Sequence, residues 1–238
     1  MRSKSTKSLI KTALKNLTWA YVDRPHDMPL IRIASYPAKQ SHVIYMPDEL
    51  HMRSSDLDYL HELGHATFCE RVHPVFAANI LYAPLQNKQE FVKILPALNT
   101  ACDWFIGHWQ IELSPDSALK MLKKTLKTAE KILAEPTLPP LEIILYAALL
   151  IAQAVKYLDE PVDCGGVLKV AVDAFLSIPP DEPSLANCVL LINKLLATYT
   201  EQRVRFVEAG ETSSWELYTE ENKKTAASTK TGRKRAAK

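Results

Sequence analysis

His61-Glu62-Leu63-Gly64-His65 is the run in this chain whose residue types and spacing could do chemistry. Two histidines four apart on an α-helix sit about 40° apart round the axis and one turn up, so both rings can hold one ion. The glutamate beside them can reach a water at that ion. Zn²⁺ lowers the pKa of such a water towards ~7, and a carboxylate takes its proton as it attacks a carbonyl. With seven histidines and 16 glutamates among 238 residues, chance supplies this pattern in only about 1–2% of such chains. That favours a metal site over two unrelated histidines and a helix charge. Gly64 costs a helix up to ~1 kcal/mol relative to alanine. The absent side chain would let another segment pack close under the metal.

A catalytic zinc needs a third protein ligand and an open position. A histidine at position 71 would extend the pattern, but that residue is Arg71, so the ligand comes from further on. Glu90, Asp103 and His108 are the candidates. Asp103 is the first choice, because it stands alone among apolar residues from Ala101 to Ile106. A carboxylate in such surroundings needs a partner. Glu90 follows His65 on the next helix. His108 could bind metal or stabilise an oxyanion, a role for which Tyr82 is a second candidate. Cys69, one turn after His65, would instead make the metal structural and leave Glu62 without a role.

The positioning elements follow from periodicity and punctuation. Leu9, Ile10, Ala13, Leu14, Leu17, Ala20 and Tyr21 predict a helix over 6–21. The runs 30–34 and 42–46 read as two strands, paired as a hairpin. Ser55 and Asp58 form a capping pattern that starts the helix carrying His61 and His65, and this helix stops before Pro74. A further helix spans 90–109, with Pro96 inside it. From 114 onward the chain reads as helices separated by prolines, the last over 184–207. The fold class is therefore α+β and mostly helical. The division is 1–113 for the site, 114–210 for a helical region, and 211–238 for a basic, disordered tail on which Trp215 and Tyr218 can still pack against the body.

His61 to His65, preceded by the strand-like Val43-Ile44-Tyr45-Met46-Pro47 and followed by a second helix, resembles the zincin-type metallopeptidases. The order of strand, capped helix and Leu60-His61-Glu62-Leu63-Gly64-His65 is similar to the compact peptidases that accompany phage-type repressors. That branch carries Glu-Ala-Asn-x-Phe, and aligning Trp104-Phe105 to it puts Ala101 where the glutamate belongs. Asn99, Asp103 and Ile106 resemble instead the Asn-x-x-x-Asp-x-x-Ile signature of metallopeptidases linked to von Willebrand A-type proteins. The resemblance covers 30–112. It implies a small zincin-like domain within 1–113, Zn²⁺ on His61, His65 and Asp103, Glu62 as general base, and a protein or peptide substrate.

Composition bounds the rest. Hydrophobic residues make up 47% and charged ones 24%, which excludes a wholly disordered chain. The longest uncharged apolar run, 143–155, has 13 residues, short of the roughly 20 that span a bilayer. It reads as a buried helix, and no membrane partner is expected. Four cysteines without a C-x-x-C pair, and no secretory signal, point to a reduced, cytoplasmic protein. Residues 1–22 and 222–238 are basic and acid-free, so 23–221 carries a net charge of −10 within a chain of +2. The tail could touch nucleic acid or an acidic partner. It motivates a second reading: a helical protein- or nucleic-acid-interaction protein whose zinc site is structural or vestigial.

Overall fold

A computed structural model describes residues 5–47, 54–77, 88–134, 139–160, 163–209 and 212–219. Helix α1 (Thr6–Asn16) starts at Ser5, whose side chain accepts the Ser8 N–H, and it buries Leu9, Ile10 and Ala13. It ends at Asn16 rather than at 21. The reason lies far along the chain: the Glu70 carboxylate accepts the N–H groups of Thr18 (2.8 Å) and Trp19 (2.9 Å) and turns the backbone away. The chain leaves as strand β1 (Ala20–His26), where the sequence predicted the end of the helix.

Strands β2 (Arg32–Tyr36) and β3 (Ser41–Pro47) pair antiparallel, as the expected hairpin. Strand β1 pairs parallel with β3, giving the order β1-β3-β2. Pro25 is tolerated in β1 because this is an edge strand.

Helix α2 (Asp56–Arg71) begins with the predicted capping box, in which Ser55 and Asp58 each bond the other's backbone N–H. Leu60, Leu63 and Ala66 pack with Leu9, Ile10, Ile33 and Ile44 in a small core between α1, α2 and the sheet. Helix α3 (Lys88–Leu113) continues through Pro96. Helices α4 (Pro115–Leu133), α5 (Leu141–Leu158), α6 (Gly166–Leu176) and α7 (Leu185–Leu196) follow. Phe76, Trp104 and Phe105 share the larger core with Leu145, Ile151 and Phe175, so that core runs across residue 113 without a break. The architecture is α+β and mostly helical, as the sequence implies. Helix α5 is long and apolar enough to cross a membrane by length and composition, and half of it is buried inside the protein.

The last predicted helix is corrected at its end. Helix α7 stops at Leu196, and strands β4 (Arg203–Ala209) and β5 (Thr212–Tyr218) form an antiparallel hairpin. The Asn193 side chain explains the break. It accepts the Val204 N–H (2.7 Å) and donates to the Val204 carbonyl (2.8 Å), holding the strand on the helix. Val204 and Trp215 are both buried in the larger core, so 212–218 belongs to the folded body and not to a tail. The basic residues beyond 221 lie outside the described residues.

Candidate metal centre

Gly64 fixes how α2 meets α3. A Cβ at Gly64 would stand 2.6 Å from Ile106 Cγ2 and 3.1 Å from the Trp109 ring. The close approach predicted from the residue type is therefore made by α3. Asp103 lies one turn before Ile106 and is carried to the two histidines. His61 Nε2 is 3.2 Å and His65 Nε2 3.3 Å from Asp103 Oδ1. The three donor atoms all lie within 4.8 Å of one another.

These separations can be tested against an ion. Two ligand atoms on a tetrahedral zinc, with bonds of about 2.0–2.1 Å, stand about 3.3–3.4 Å apart. Both carboxylate-to-imidazole distances match that spacing, and two imidazoles with a carboxylate are a donor set that suits Zn²⁺. The other nitrogen of His65 is also placed. Its Nδ1 lies 3.0 Å from the Phe76 carbonyl, the outer partner that orients a ligating histidine.

Charge is concentrated here. Burial works against ionising Asp103, but the hydrogen bonds and charges of His61 and His65 overcome it and hold the carboxyl well below the usual range. For His65, burial works to lower the pKa. The Asp103 hydrogen bond and charge, the Glu62 charge and the Phe76 carbonyl outweigh it and raise the value. One acidic oxygen, Asp103 Oδ1, lies within 3.3 Å of both rings.

Glu62 borders the same cleft, a cavity of about 290 Å³ that also takes in Ile33, Asn99 and Cys102. The Ile33 N–H donates to Glu62 Oε2 at 2.9 Å. Strand β2 is an edge strand, and this bond uses one of its outward-facing donors. Oε1 is left without a partner among the described residues.

The other sequence candidates fall elsewhere. His108 Nδ1 bonds the Tyr157 hydroxyl at 2.7 Å, and the two rings stack. Its Nε2 is buried without a hydrogen bond among the described residues, with Glu112 3.4 Å away. Cys69 is buried against Ser35, and burial pushes its thiol up to about 12. The Glu90 side chain and Tyr82 lie outside the described residues. Two neighbours of the site were missed by the sequence reading. Tyr146 and Gln153 of α5 line a second cavity that also reaches His61 and Asp103. Burial raises the Tyr146 phenol, as do the charges of Asp103 and Asp58. Only their polar tips within an apolar helix could have marked them.

No protein-family model, curated protein or solved structure matches this chain.

Proposed function

We propose that this chain is a zinc-dependent, zincin-like metallopeptidase that hydrolyses a peptide bond. The observation that supports this is the convergence of His61, His65 and Asp103 in a cleft whose rim carries Glu62.

A Zn²⁺ in this position supplies Lewis acidity, polarising the scissile carbonyl and bringing a water's pKa towards ~7. His61, His65 and Asp103 hold it, and the Phe76 carbonyl keeps the His65 ring turned. Glu62 takes the proton of the attacking water at Oε1, the oxygen not bonded to Ile33, and passes it to the leaving amine. The Ile33 N–H anchors Oε2 during that exchange. The substrate is a protein or peptide.

The deciding experiment loads the full chain with zinc and measures cleavage of a quenched fluorescent peptide library. Glu62→Gln should bind zinc as wild type does and lose at least roughly 10²-fold in turnover, the general-base contribution. Hydrolysis undiminished in Glu62→Gln would overturn the reading.

A further inference from the structure

The second cavity, about 180 Å³, lies between α2, α3, α4 and α5. It opens on His61 and Asp103. Each helix gives it an apolar wall, with Leu57, Ile111, Leu122 and Leu149 in turn. Asp58, Gln110, Thr125, Tyr146 and Gln153 add polar groups to the lining; Asp58 is bonded to Ser55, Gln110 to the Leu57 carbonyl and Thr125 to the Met121 carbonyl. Gln153 is only 8% exposed, and its side chain lines this cavity. Gly107 makes room for its amide, since a Cβ there would collide with Gln153 Nε2.

An amide at a cavity wall is open to hydrogen bonding by whatever enters the cavity. Gly107 stands one turn after Asp103, so the amide lies about 6 Å further along α3 than the carboxylate. Asp103 and the amide thus line one cavity, a helical turn apart along α3. An apolar cavity of about 150 Å³ accommodates a benzene ring. This one, at about 180 Å³, has room for a ring with a small polar tip. An amide both donates and accepts, as a phenol does. An aliphatic side chain would leave the amide unpaired.

We propose that this cavity is the specificity pocket for a tyrosine side chain next to the scissile bond, and that Gln153 recognises its hydroxyl. The proposal rests on the peptidase reading for its substrate class. The helical half of the chain thereby acquires a function: α4 and α5 select what the α2–α3 site cuts.

The test has two arms. In the first, p-cresol and toluene are titrated into the metal-free full-length chain and followed by ligand-observed NMR. Wild type should favour p-cresol, and Gln153→Met should lower the toluene-to-p-cresol ratio of Kd values about tenfold, the loss of one good hydrogen bond. Leu122→Phe fills the cavity and should weaken both ligands, which guards against a misfolded glutamine variant. In the second arm, zinc-loaded protein is given peptides that differ only by Tyr, Phe or Ala at one position. Wild type should cleave the tyrosine peptide at least about tenfold better in kcat/KM than the phenylalanine one, and Gln153→Met should erase that preference.

An unchanged ratio in Gln153→Met, or undiminished binding in Leu122→Phe, overturns the pocket. Cleavage indifferent to tyrosine overturns it as a specificity pocket, whatever the small ligands do, and leaves the peptidase reading standing. If p-cresol is discriminated through Gln153 but no peptide is cut, the phenol site stands and the peptidase reading falls.

Discussion

His65 Nδ1 lies 3.0 Å from the carbonyl oxygen of Phe76. A carbonyl only accepts, so Nδ1 carries the hydrogen and Nε2 is the atom presented to Asp103. Phe76 is itself fully buried, and its ring meets Phe68 and Phe105 edge-on. The orientation of a candidate ligand is thus set by aromatic packing that never touches the site. Phe76→Leu should weaken zinc binding by roughly 10-fold, at the lower end of the range for outer partners of metal ligands. A chelator competition titration reads this directly. Unaltered affinity would mean that the packing of the Phe76 ring does not set the position of its carbonyl.

Asp103 and His108 were rival third ligands, and the geometry separates them. Asp103→Ala should reduce zinc affinity by more than the roughly 10–100-fold typical of an outer partner. His108→Ala should keep stoichiometric zinc, because its imidazole is engaged with Tyr157. Metal analysis of the two purified variants decides the matter. Full zinc retention in Asp103→Ala would remove that residue from the site.

Glu62 has a second role in the fold, as acceptor for the Ile33 N–H on the sheet edge. Glutamine retains an acceptor oxygen there and alanine does not. Glu62→Gln should therefore unfold within about 0.5 kcal/mol of wild type, while Glu62→Ala should lose about 1 kcal/mol. Urea unfolding of the metal-free proteins measures both. Equal losses would show that the bond to β2 contributes nothing.

The contact between Gly64 and Ile106 makes a sharper prediction. Alanine has the better helix propensity, by up to ~1 kcal/mol. Yet its Cβ would stand 2.6 Å from Ile106 Cγ2, and overpacking of this kind costs about 1–3 kcal/mol. Gly64→Ala should be net destabilising. Adding Ile106→Val, which removes only the Cδ1 methyl, should rescue little, whereas Ile106→Ala should recover part of the loss in the Gly64→Ala background. Thermal melts of the single and double variants give the coupling, and strict additivity would argue against the clash.

What the sequence displayed was whatever is encoded locally. Ser55 and Asp58 announce a helix start because the capping bonds join residues three apart. His61 and His65 meet because one helix supplies both, and Asp103 stands out as a lone acid in an apolar run. Strand β1 was illegible because its partner, β3, lies some 20 residues on. It is also exposed along most of its length, so no alternation marks it. Most of strand β4 was absorbed into the preceding helix because Val204 and Phe206 continue an apolar pattern, and β5 was assigned to the tail. What stops α7 is a side-chain clamp from Asn193, which sequence periodicity does not register. The α5 contribution to the second cavity depends on four helices meeting, so the polar tips of Tyr146 and Gln153 in an apolar helix could not say where they point.

A buried network behind α2 gives the fold an acid-sensitive point. Glu70 accepts from the Thr18 and Trp19 N–H groups and the Thr18 hydroxyl, and it pairs with His42 at 2.9 Å. His42 in turn bonds the Ser35 hydroxyl at 2.8 Å and stacks on Trp19. Burial works to raise the Glu70 carboxyl, but the two N–H groups, His42 and the Thr18 hydroxyl outweigh it and bring it below its ordinary 4.5. A depressed folded value stabilises the protein fully above the unfolded value, and that stabilisation is lost as pH falls through the folded one. Glu70→Gln cannot ionise and places an amide donor against these N–H groups. It should be about 1–3 kcal/mol less stable than wild type at pH 7. The gap should narrow as pH is lowered from about 4.5. Denaturant unfolding at pH 7 and at progressively lower pH would show the two stabilities converging, and a gap that stays constant would mean that the Glu70 charge contributes nothing to holding β1, β3 and α2 together.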